Sequence, residues 1–264
     1  MEIAINTGSL ADVTLDALKR AADLGFKSIE INLDTDEFGY GYRRQPNVGF
    51  YRQLRLELDK YHLTAWSVSA PPLTQEQMFS ELARKEIFKG AAGAAGILGA
   101  KVLVVQPADI FSNQKAFDRY MKDNKAPAVT EGFDESWVQV VNRKITMALM
   151  NRDYWIGSLL TNQAERIARI ANDLAIGCAL DVRQALNRND LAAWIESTGE
   201  RLAIAYAYDL NDDGTELAPI EDEWKEWTAI LKDTRLKTLV IKAGREQNDE
   251  EIEHSRQMMG TLLV

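Results

Sequence analysis

The segment TLVIKAGRE, residues 238–246, is an apolar run that ends in a lysine, Lys242, where a buried strand would stay apolar. An ammonium group in that place has three possible uses. It can hold a ligand oxygen electrostatically, act once desolvated as a base or carbonyl-attacking nucleophile, or fill the site as half of a structural salt bridge. A buried amine needs a counter-charge. Two carboxylates end comparable apolar runs, Glu30 in SIEIN and Asp181 in IGCALD. Either is expected to pair with Lys242, Asp181 being the first choice. Tyr206 and Tyr208 lie in RLAIAYAYD, and only one of them is expected to point inward. An inward phenol can donate to a ligand oxygen or serve as an acid.

Other polar residues end or follow the same kind of run. Arg183 and Gln184 follow Asp181, Gln106 ends KVLVVQ, and Arg245 follows Lys242. With Trp66 of TAWSVS they are the expected ligand-binding residues, the two arginines meeting any anionic group. Asp209 opens LNDDGTE, which reads as a solvated acidic turn. The stretch 35–50, with Arg43, Arg44 and several aromatic residues, is long for a connector and reads as a lid. A metal centre would draw on Glu, Asp and His at several strand ends. The two histidines, His62 and His254, sit at none of them and are assigned ordinary surface or packing roles. No dinucleotide, P-loop, zinc-protease or nucleophile-elbow motif is present.

The elements that would position these residues are readable from the hydrophobic pattern. Short β-type runs start near residues 1, 28, 64, 101, 145, 176, 201 and 238. Most are continuously apolar, as strands of a parallel sheet covered on both faces are. Amphipathic helices lie between them. In VTLDALKRAADLGF the expected inward stripe is Leu15, Leu18, Ala21, Ala22 and Leu24, with Thr14 as cap and Gly25 as stop. Eight such units in 264 residues predict a single TIM-barrel domain over 1–264, α/β in class, with an irregular βα connection at about 107–144. The run at 145–150 is the weakest strand, and an open doubly wound sheet is the alternative.

Composition bounds the partners. Lys and Arg number 31 against 40 Asp and Glu, a net charge of −9. A nucleic acid or anionic membrane needs a concentrated basic surface, so neither is expected. Cys178 is the only cysteine, which excludes an intramolecular disulfide, and MEIAINTGSL lacks the pattern of a signal peptide. A cytoplasmic location follows as the expectation.

Taken together, LKRAADLGFKSIEIN, LGAKVLVVQP, IGCALDVRQAL, GERLAIAYAYDLNDDG and TLVIKAG resemble the xylose-isomerase-like barrel superfamily of sugar and sugar-phosphate isomerases and epimerases. The resemblance implies a (β/α)8 fold, a small sugar-like ligand and, as an allowed assembly, a homodimer. It also implies a divalent ion held by a glutamate, an aspartate, a histidine and a second glutamate, the two glutamates moving the proton. Here those positions read Met150, Asp181, Gln184 and Lys242, with Tyr206 in the next strand and Glu216 nearest the usual second histidine. A thioether and an ammonium thus replace two carboxylates. The expectation is a protein without metal or other cofactor, in which Lys242, Asp181, Tyr206 and Glu30 do the chemistry and Glu216 joins the ligand-binding set. Two alternatives stand beside it: an inactive barrel that binds or scaffolds, and a metal enzyme using Glu30, Asp181, Asp209 and Glu216.

Overall fold

The computed structural model describes residues 1–38, 48–72, 81–105, 122, 144–151, 155–156, 159–160, 164–187, 190–220 and 224–263. Each apolar run forms a strand: β1 (Glu2–Asn6), β2 (Ser28–Asn32), β3 (Thr64–Ser69), β4 (Val102–Val105), β5 (Thr146–Met150), β6 (Gly177–Asp181), β7 (Leu202–Ala207) and β8 (Thr238–Ile241). Neighbours pair in parallel, and β8 pairs back onto β1, with Glu2 opposite Thr238, so the sheet closes. The (β/α)8 TIM barrel forms, the 145–150 strand included, and the open sheet is excluded. Most of the 107–144 connection, the middle of the 35–50 stretch and Gln106 lie outside the described residues.

The continuity of the apolar runs has a direct cause. Outward residues such as Ile5, Ile29, Leu149, Leu180 and Leu239 pack under the helices. Inward residues such as Ala4, Val104, Ala148, Ala179 and Val240 fill the barrel itself. Both faces are dry, so alternation disappears. Two strand pairs depart from regular register, β6 with β7, where Cys178 faces Leu202 but Ala179 faces Ile204, and β2 with β3. Between β2 and β3, Ile29 faces Ala65 but Glu30 faces Ser67, so Trp66 is an extra residue in β3.

Helices cover the strands: α1 (Thr14–Asp23), α2 (Val48–Lys60), α3 (Glu81–Leu98), α4 (Ala164–Asp173), α5 (Val182–Asn187), α6 (Leu191–Thr198), α7 (Trp224–Lys232) and α8 (Asp249–Leu262). In α1 the buried stripe is Thr14, Ala17, Leu18 and Ala21, so Leu15 falls about a hundred degrees away and is 39% exposed. Thr14 is not the cap. Val13 holds that position without a side-chain bond, and the Thr14 N–H instead donates to the Glu37 carboxylate at 2.8 Å. No helix among the described residues is long and apolar enough to cross a membrane.

Four helix-to-strand turns share one geometry. Gly25, His62, Gly99 and Ala175 adopt positive φ. The N–H of the next residue then donates to the carbonyl five positions back: Phe26 to Ala21, Leu63 to Leu58, Ala100 to Ala95 and Ile176 to Ala171. This closes the helix and aims the chain into the barrel. Ala175, at φ 54°, carries a steric cost a glycine would not. Ala175→Gly is therefore expected to stabilise the chain by about 0.5–1 kcal/mol, the left-handed penalty less the added chain entropy. Urea denaturation measures it.

Candidate functional site

The upper ends of the strands surround a cavity of about 840 Å³ that Glu30, Met150, Tyr206, Glu216, Lys242 and Arg245 help to line. Its floor is built around Glu30, which has no exposed surface. Three donors from three other strands converge on this carboxylate. Asn6 Nδ2 reaches Oε1 at 2.7 Å, while Ser67 Oγ and the Tyr206 hydroxyl reach Oε2 at 2.8 and 2.7 Å. The register shift in β3 is what sets Ser67 opposite Glu30. Burial pushes the Glu30 carboxyl above its ordinary range, because removing water from the charged form outweighs the three donors and the nearby Lys242 charge.

Lys242 stands at the upper end of β8, its residue 6% exposed. Its Nζ donates to Glu216 Oε1 at 2.7 Å, so the expected pairing with Asp181 or Glu30 is replaced. Glu216 arrives on a two-residue ladder, Asp209–Leu210 against Glu216–Leu217, that folds back over the mouth after β7. Gly244 permits that approach: a Cβ there would lie 3.0 Å from the Glu216 carbonyl oxygen. The ammonium also sits 5.6 Å from the Tyr206 ring centroid and 4.8 Å from that of Tyr208. Both tyrosines thus turn toward Lys242. Residues two apart share a face of a strand, which corrects the expectation that only one would.

Asp181 is buried one step away from this cavity rather than in its lining. The Tyr208 hydroxyl donates to its Oδ2 at 3.0 Å and the Gln184 N–H to its Oδ1 at 3.1 Å. Asn151 grips the Asp181 backbone, its Nδ2 donating to the carbonyl at 3.1 Å and its Oδ1 accepting the N–H. Tyr208 therefore links Asp181 to Lys242 indirectly, hydroxyl to one and ring to the other.

The remaining expected binders are partly dispersed. Arg183 lies 3.2 Å from Asp209. Asp209 is itself buried, accepting from Trp224 Nε1 at 2.8 Å, so it is a packing anchor and not a solvated turn residue. Arg245 stays at the rim but is engaged by Asp12 and by the Gly8 carbonyl at 3.0 Å. Trp66 lines a separate pocket at the opposite end of the barrel, the consequence of its extra position low in β3. Gln106 falls outside the described residues. Sequence reasoning under-weighted Asn6 and Ser67, whose only signal was a polar side chain near a strand's upper end. Cys178 is buried beneath the helices, where desolvation pushes its thiol up to about 12; at neutral pH it is an inert packing group.

Among the described residues the donor set does not fit a divalent ion: no three His, Cys, Asp or Glu side chains gather where one ion could bind them all. The set Glu30, Asp181, Asp209 and Glu216 is split between the cavity floor, the Tyr208 contact, the Trp224 anchor and the Lys242 salt bridge. The Lys242 ammonium between them would repel a cation.

No protein-family model matches the sequence, and no curated protein matches it. Solved structures do match the fold. A D-tagatose 3-epimerase-like protein is similar over 100% of this chain and 97% of its own, at a TM-score of 0.73 and 18% identity. D-psicose 3-epimerase, solved in the presence of D-fructose, is similar over 100% and 99%, at 0.69 and 13% identity. The IolI protein with a binding zinc atom is similar over 100% and 98%, at 0.63 and 16% identity. The likeness is one of architecture, a closed (β/α)8 barrel.

Proposed function

We propose that the protein is a sugar isomerase/epimerase-like barrel that binds and converts a small polyhydroxylated compound above Glu30 without a divalent ion. The observation that carries this reading is the meeting of one ammonium, one buried carboxyl and one phenol in a single cavity. The Tyr206 hydroxyl touches Glu30 at 2.7 Å and its ring faces the Lys242 nitrogen. A ligand carbonyl oxygen near Lys242 would be stabilised by its positive charge on becoming an enediolate. Glu30, held by Asn6 and Ser67, exchanges the proton beside that carbonyl through the Tyr206 hydroxyl. Among the described residues Arg245 at the rim is committed to Asp12, and Arg183 beyond it to Asp209, which supports an uncharged ligand over an anionic one. The solved relatives of the fold named for ketohexose epimerases point to the same chemical class.

A second reading, binding without turnover, is favoured by the complete burial of Glu30 and Tyr206 and by the neutralisation of Lys242. One experiment separates the possibilities. Protein purified without chelator is assayed for metal, then offered free and phosphorylated aldoses and ketoses with and without EDTA. The expected outcome is sub-stoichiometric metal and turnover of a free sugar that survives chelation. Stoichiometric manganese, zinc or magnesium would overturn the metal-free reading, and saturable binding without product would select the second.

A further inference from the structure

The lower end of the barrel carries a second pocket of about 660 Å³, large enough for a small ligand. Its charge is opposite to that of the upper cavity. The upper lining includes six carboxylates and two cations, the lower five cations and one carboxylate, in a chain whose net charge is −9. The cations arrive by a regular device, a basic residue just below the start of a strand: Lys101 under β4, Lys144 under β5, Arg201 under β7 and Lys237 under β8. Because β4 pairs with β5 and β7 with β8, they come as two adjacent couples. Lys101, Lys144 and Lys237 have no ion-pair partner among the described residues, whereas Arg235 meets Glu200 at 2.8 Å.

Polar groups deeper in the same end also lack partners. The Trp66 indole Nε1, on a side chain that lines the pocket, is buried without an acceptor, and so is Thr238 Oγ1 among the described residues. Thr238 shares the inward parity of Val240, at the foot of β8. Buried donors of this kind call for an occupant that accepts hydrogen bonds.

We infer that this lower pocket is a binding site for a small oligophosphate, separate from the upper cavity. Several negative groups on one short ligand answer two couples of cations better than a single phosphate does, and the Trp66 indole lies beside them as a reporter. A nucleic acid or an acidic protein would need a broad surface instead of a pocket of this size.

The probe is inorganic tripolyphosphate, titrated into the full chain calorimetrically and into 15N-labelled chain while following the Trp66 indole N–H, assigned with Trp66→Phe. The expected result is a saturable one-to-one isotherm near physiological salt and a shift of the Trp66 resonance. The triple variant Lys101→Gln, Lys144→Gln, Lys237→Gln should bind about tenfold or more weakly. These side chains are exposed, so its thermal melt should match the parent's. Lys242→Met, at the other end, should keep the parent's affinity. Absence of saturation, an unchanged affinity in the triple variant, or a loss confined to Lys242→Met would overturn the assignment.

Discussion

Glu30→Gln should lose turnover by about 10²–10⁴-fold, the range for removing a general acid–base, and should melt at a higher temperature than the parent at neutral pH. The two effects share one origin. The introduced glutamine keeps the shape of the carboxyl, and its amide can still accept from Asn6 while donating to the Ser67 and Tyr206 hydroxyl oxygens, which rotate to suit. What it cannot do is carry a proton to and fro. The stability gain follows from the sign of the Glu30 shift. Its carboxyl is raised in the folded chain by burial, so the unfolded chain releases this proton first as pH rises. The contribution of Glu30 to stability is fully present below the ordinary carboxylate range and is lost as pH climbs through the raised value. Glu30→Gln removes that dependence, and the difference in melting temperature between variant and parent should shrink toward acid pH. Thermal melts from pH 4 to 8 beside a turnover assay test it. A variant less stable than the parent at every pH would show that Glu30 is held there for structure.

Lys242→Met carries the second large effect. Methionine fills the same channel between the Tyr206 and Tyr208 rings, where sulfur packs well. The partner left behind, Glu216, has a side chain 40% exposed and can turn to water. Folding should therefore survive. Sugar binding and turnover should not, because the cation facing Tyr206 is gone; a fall in kcat/KM of about 10²–10³-fold is expected for an oxyanion-stabilising group. Lys242→Arg separates charge from shape, and restores some binding if charge is what matters. If Lys242→Met turned over sugars at the parent's rate, the ammonium would be a structural pairing group only.

How far the sequence reached depended on the kind of information needed. Strands were legible because a barrel buries both faces, and β5 formed from ITMALM despite the polar connection before it. Helix stops at Gly25 and Gly99 carried a chemical signal, whereas His62 and Ala175 take the same left-handed turn without one. In the site, Glu30, Tyr206 and Lys242 were readable as polar residues near strand ends and Glu216 only through the family resemblance, and all four line one cavity. Their pairing was not readable. Glu216 reaches Lys242 from 26 residues earlier because LNDDGTE turns a short ladder back over the mouth, and acidic turns usually face water. Asp209, in the same stretch, was misread for the same reason: only its burial against Trp224 distinguishes it.

The added residue in β3 leaves that strand with two halves in opposite phase. Ala65 and Val68 both face the helices although one is odd and the other even in number, which an unbroken strand forbids. An indole and a hydroxyl side by side in the chain can then serve opposite ends of the ring, Trp66 below and Ser67 beneath the ligand cavity. Shortening β3 by that single residue would leave the serine opposite Glu30 in an unbroken register, yet take the indole from the base. One inserted residue thus furnishes the lower end with a side chain while the upper end, of contrary charge, keeps its own.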